Sequence, residues 1–173
     1  ASSIFDGLAR PGDNAVAGPV GNMRQLAELL SDKGVASLRY DKIGTGETNL
    51  GPYAQRPMDV VSAVYTTGAK AAVNYLAEQS ATDKARISVY ALGEGTIHAL
   101  SLAGAPTAGA PKIHSLGLFQ PLPGRYLDII TGRVRASGSP ATLTAWLAAV
   151  DEVRTKGTAP AQLPEGLGAI LNP

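Results

Sequence analysis

Residues Val89–Thr96 read VYALGEGT, and the fold turns on what they form. Val89, Tyr90, Ala91 and Leu92 are a short apolar run of strand formers, and Gly93-Glu94-Gly95 breaks it. The following TIHALSLAG (96–104) has the composition of a helix. The reading is therefore strand, tight turn, helix.

Working outward, DKARISVYAL (83–92) gives a polar turn followed by a buried strand, and the helix after the turn is expected over 94–103. A small-residue loop, GAPTAGAPK (104–112), leads to a further strand in IHSLGLFQP (113–121). Upstream, Met23, Leu26, Ala27, Leu29 and Leu30 recur at helical spacing, and Gly34 stands where a helix end commonly reverses. This predicts a helix over 22–33. VASLRYD (35–41) then reads as a strand before the glycine-rich loop KIGTGETNLGP (42–52). From Met58 to Gln79, Val61, Val64, Tyr65, Ala69, Ala72, Val73 and Leu76 again keep helical spacing.

Short apolar strands alternating with helices predict an α/β fold: a parallel sheet core with flanking helices. The first twenty residues are dense in Gly, Pro, Asp and Asn and read as loop. Beyond residue 124 the pattern changes to two helical stretches. Ser139-Pro140 form an N-cap and first-turn pair for the second, and LPEGLGAI (163–170) reads as one last short helix. We expect a core over 1–124 and a C-terminal helical cap over 125–173, within a single domain.

At 173 residues one hydrophobic core is expected. Fifteen basic against 14 acidic residues give a net charge of +1, with no field to draw nucleic acid or an anionic surface. No cysteine is present, which excludes disulfides, thiolate metal sites and a cysteine nucleophile. No apolar run is long enough to span a membrane. Zero Cys and few Lys fit an exported chain, and the compartment is otherwise open.

GTGET and GEGT hint at phosphate loops. Neither has the Lys-Ser/Thr ending of a P-loop or a full G-x-G-x-x-G, so no nucleotide cofactor is implied. No histidine pair at metal-ligand spacing occurs, so no metal is expected. Asp41, at a strand end, is read as fixing its loop through backbone amides. Asp128, Asp151 and Glu152 read as solvated helix faces. Trp146, with Leu143, Leu147 and Val150, makes a helical stripe. It can pack the cap, hold two chains together as a homo-oligomer, or cover a pocket for a small apolar ligand.

GNMRQLAELLSDKGVASLRYDKIGTGET (21–48), ARISVYALGEGTIHALSLA (85–103) and IHSLGLFQPLPGRYLDII (113–130) together resemble the α/β-hydrolase superfamily, in its esterase and serine-aminopeptidase-like branch. The resemblance spans residues 18–132 and implies a nucleophile elbow, G-x-S-x-G, on Ala91, Leu92, Gly93, Glu94 and Gly95. The last glycine is kept, while the first has become Ala91 and the serine Gly93. The elbow's central residue sits at a strained positive φ, which glycine adopts at little steric cost. The turn can thus outlive its chemistry, since no acyl-enzyme forms without a hydroxyl. Neither Thr96 nor Ser88 is placed to replace it. His98 and His114 are the only histidines, and both are read as structural. The resemblance implies an oxyanion loop within Gly7–Gly18.

Three functions follow as expectations. The first is a catalytically degenerate hydrolase-like domain, or pseudoenzyme, with a small apolar ligand pocket near Gly93, Glu94 and Trp146. The second is part of an active serine esterase or amidase whose other segments complete the site. The third is a non-catalytic module associating through the Trp146 helix.

Overall fold

Helix α1 (Asn22–Ser31) follows Gly21, whose φ of 59° turns the chain into it. The computed structural model describes residues 21–105, 109–158, 160 and 163, save the side chain of Met58. The expected oxyanion loop (7–18) lies outside the described residues, as does all of the expected last helix except Leu163. The chain divides into two compact units, residues 1–121 and 122–173.

In the first unit, α1 ends as its sequence suggests. Gly34 adopts φ +71°, and Val35 N–H reaches back to the Leu30 carbonyl at 2.9 Å, closing the last turn. Residues 35–41 were expected as a strand, and here the structure differs: among the described residues they join no sheet. A strand exists only through a hydrogen-bonded neighbour, and between this segment and the nearest strand lies a cleft instead. Asp41 does fix the following loop: Glu47 N–H donates to its carboxylate at 3.2 Å, and Thr48 Oγ1 to its carbonyl at 2.9 Å.

The expected helix from Met58 begins four residues later, as α2 (Ser62–Glu78), after a 3-10 turn over Pro57–Asp59. Val60 and Val61 are non-helical, consistent with β-branched residues that lose freedom against a helical turn. Asp83 caps a further 3-10 turn, Lys84–Arg86, by accepting from Ala85 N–H at 2.9 Å. Strand β1 (Ser88–Leu92), helix α3 (Gly95–Gly104) and strand β2 (Ser115–Phe119) follow.

The two strands are parallel, in the register Ser88 to Ser115 through Leu92 to Phe119. The sheet is therefore two-stranded among the described residues, with α3 as the crossover. The fold is α/β, with five α-helices among the described residues and this small parallel sheet. Helices α2 and α3 pack together through small side chains: Ala69, Ala77 and Ala99 are buried, as are Ile87 and Ala91.

The second unit is a helical hairpin, α4 (Tyr126–Ser137) and α5 (Pro140–Lys156). Ser139 accepts from Thr142 N–H at 3.1 Å, and Pro140 fills the first turn, where a missing N–H costs nothing. Trp146 is fully buried against Ile130, Val134, Ala149 and Val150, and its Nε1–H donates to Thr131 Oγ1 at 2.9 Å. Asp128, expected as purely solvated, pairs with Arg154 across the hairpin at 3.1 Å while staying exposed.

Candidate functional site

The turn after β1 has the backbone of an elbow. Gly93 sits at φ +56°, and its N–H donates to the Phe119 carbonyl at 3.0 Å, tying the turn to the end of β2. Glu94 is already right-handed, and α3 begins at Gly95. The Gly93 carbonyl accepts twice from Thr96, at 3.1 Å from its N–H and at 2.6 Å from its Oγ1. Thr96 is buried and its hydroxyl is committed to that bond, so it is not a spare nucleophile. No described atom lies within 4 Å of where a Cβ on Gly93 would stand. A side chain there would face open space under a positive φ, as an elbow residue does.

Ser88 and Ser115 bond each other, Oγ to Oγ at 2.6 Å, across the strands and away from the turn. His114 is exposed, with its N–H donating to the Ile87 carbonyl at 2.7 Å.

Behind the turn stands a cluster that sequence reading did not assemble. His98 is buried, and its Nδ1 meets Thr66 Oγ1 on α2 at 2.8 Å. Burial holds the His98 pKa below its ordinary value, with the Lys42 charge adding to the effect. The Tyr65 ring lies 6.0 Å from the imidazole, tilted by 56°, with Lys42 Nζ 5.1 Å from its centroid. Burial raises the Tyr65 pKa, and the Glu94 carboxylate raises it further. The Glu94 side chain makes no cap hydrogen bond to α3.

A hydroxyl against an imidazole is the geometry of an activated nucleophile. Here the imidazole is only 4% exposed, and among the described residues no carboxylate hydrogen-bonds to it. The pair satisfies a buried polar group between two helices rather than presenting one to a substrate.

Two cavities adjoin β1. The smaller, about 100 Å³, lies between α2, α3 and β1; Ala69, Val73, Leu76 and Ile87 line it, and Gly95 and His98 form its end toward the turn. Burial pushes the Tyr40 phenol on its wall up to about 12. The larger, about 890 Å³, lies among α1, residues 33–40 and β1. Gly93, Glu94 and Trp146, the expected pocket residues, line neither. Of the expected elbow, Gly95 alone does. Trp146 is enclosed by its own hairpin, and Leu147 of its stripe is exposed. Trp146, with Leu143 and Val150, therefore serves packing of α5 on α4.

No group of three His, Cys, Asp or Glu among the described residues could hold a metal ion. No described helix is long and apolar enough to cross a membrane. No family model, curated protein or solved structure matches the chain.

Proposed function

We propose that the chain is an α/β-hydrolase-like domain that no longer performs covalent catalysis and keeps a small apolar pocket behind its elbow. One observation carries this reading: a strand, turn and helix with the central residue at φ +56°, that residue being Gly93. The turn has the left-handed backbone that an elbow needs, held by a glycine without strain, and the hydroxyl that an elbow presents is missing. The pocket between α2, α3 and β1, near 100 Å³, has Tyr40, Ser88 and His98 beside its apolar lining and is smaller than engineered apolar cavities of about 150 Å³ that take benzene. Its ligand class is thus a xenon-sized atom or a short alkyl group.

Two measurements test the reading. The chain should hydrolyse p-nitrophenyl acetate and butyrate no faster than buffer, and turnover by the unmodified protein would overturn the inactive reading. Xenon-pressurised NMR should shift the signals of Ala69, Ile87 and Ala99, and unmoved signals would remove the pocket from the proposal. The reading of an active hydrolase part draws support only from the open space at Gly93. Association through Trp146 draws none, given its burial.

A further inference from the structure

The polar side chains on the wall of the cavity between α2, α3 and β1 are not alike. Tyr90 is exposed, and Ser88 Oγ is taken up by Ser115 Oγ at 2.6 Å. His98 and Tyr40 differ from both. His98 is only 4% exposed, and an imidazole has two ring nitrogens to satisfy. Thr66 Oγ1 satisfies Nδ1 alone, so Nε2 has no hydrogen bond among the described residues. The Tyr40 phenol is raised to about 12 by burial, and among the described residues it makes no hydrogen bond either. A buried polar group without a partner costs free energy, and native structures rarely leave one so. Two such groups on one otherwise apolar wall have the composition of a small-molecule site, in which a few polar groups fix the orientation of an apolar ligand.

We infer that this cavity binds a small neutral alcohol, its alkyl part against Ala69, Val73, Leu76 and Ile87 and its hydroxyl hydrogen-bonded to His98 Nε2 and the Tyr40 phenol. The inference rests on the pocket proposed behind the elbow and names its ligand class. A hydroxyl suits the site whichever way the imidazole is protonated. Thr66 Oγ1 lies 2.8 Å from Nδ1 and 3.4 Å from the Ser62 carbonyl, so its proton can serve either. In the first case Nε2 carries a proton and in the second a lone pair, and a hydroxyl both donates and accepts. A carboxylate does not suit it. Burial keeps His98 neutral and no cation lines the cavity among the described residues, so an anion would be desolvated without a partner. Size sets the alkyl part: at about 100 Å³, against about 150 Å³ for a cavity that takes benzene, the space fits about four non-hydrogen atoms, the size of isopropanol.

The test is isopropanol titrated into the full chain and followed by NMR of the imidazole nitrogens and the methyl groups. Isobutane, in which a methyl replaces the hydroxyl, is the comparison. Isopropanol should shift the His98 ring nitrogens and the Ala69 and Ala99 methyls saturably, while Val150 in the second unit stays unmoved. Tyr40→Phe removes a hydroxyl that has no described partner to lose, so it should fold as the parent does. It should bind isopropanol about two- to tenfold more weakly, the equivalent of one net hydrogen bond, and isobutane equally well. The inference falls if isopropanol leaves the His98 nitrogens unmoved, as it would if ordered water already satisfied both groups. It also falls if Tyr40→Phe weakens isopropanol and isobutane alike, or weakens neither. Xenon separates this failure from that of the pocket: xenon binding without isopropanol binding removes the hydroxyl's role and leaves the apolar pocket, whereas loss of both removes the pocket itself.

Discussion

Replacing Gly93 by serine supplies the hydroxyl that the proposed elbow lacks, and the structure sets both the cost and the consequence. The new side chain meets no steric obstacle, because no described atom lies within 4 Å of its Cβ. What remains is the backbone penalty of a non-glycine residue at φ +56°, about 1–2 kcal/mol. With a urea dependence of about 1–3 kcal/mol per molar, the unfolding midpoint should fall by roughly 0.3–2 M. Gly93→Ala should lose the same amount, since neither substitution gains a contact. No activity should follow. An elbow serine needs a base within hydrogen-bond reach, while His98 is buried and its Nδ1 is engaged by Thr66 at 2.8 Å. Urea titration followed by far-UV circular dichroism, with stopped-flow release of p-nitrophenol from its acetate, measures both. A loss beyond about 3 kcal/mol would mean the space is not open, since the strain of one left-handed residue does not reach further. A burst of p-nitrophenol would mean that a base reaches position 93, and the degenerate reading would fail.

Gly46 gives the contrasting case: its φ is +47°, but the Asp41 carboxylate occupies the place of a Cβ. Gly46→Ala should therefore cost at least about 1 kcal/mol more than Gly93→Ala and expose the 42–52 loop to proteolysis; equal losses in urea would refute the steric argument. Trp146→Ala should destabilise the α4–α5 unit by about 3–5 kcal/mol, and Trp146→Phe by about 1–2 for the lost bond to Thr131, read from far-UV circular dichroism in urea. A Trp146→Ala protein as stable as the parent would show that the indole is not the hairpin's core. His98 is held neutral by burial, its folded pKa lying below the unfolded value of 6.5. Its contribution is complete above pH 6.5 and is lost as pH falls from there through the folded pKa, because the unfolded chain takes up the proton first. His98→Gln should flatten the decline in stability between neutral and mildly acid pH, and an unchanged slope would assign the decline to other groups.

Much of the local structure was legible because it is written in local physics. The 3.6-residue spacing of Met23, Leu26 and Leu30 gave α1, and Gly34 gave its end. Ser139-Pro140 gave the start of α5. The elbow was legible as a turn because Gly93 and Gly95 interrupt an apolar run. What the sequence did not carry was partnership. VASLRYD has the composition of a strand, but composition does not name a neighbour, and residues 35–41 end on the far side of a cleft from β1. The Trp146 stripe announced an apolar face without saying that α4 would cover it. Thr66 and His98 lie 32 residues apart, and only the packing of α2 on α3 makes them a pair. Helical spacing placed each on its helix and was silent about the other.

The same distinction explains how a turn of this shape can form without any catalytic group. An elbow needs a residue that tolerates a left-handed backbone, a small residue where the helix starts, and a strand end that anchors the turn. Gly93, Gly95 and the bond from Gly93 N–H to Phe119 supply all three without reference to a substrate. Thr96 adds its own hydroxyl to the Gly93 carbonyl, so the turn is stabilised from inside α3. Catalysis has requirements of another kind: a hydroxyl, a base that reaches it, and access from solvent. The one imidazole near the turn is spent on Thr66 between two helices. Fold and function therefore draw on different residues of VYALGEGT. Placing a serine at position 93 tests whether they can be joined, and the buried state of His98 is the reason to expect that they cannot.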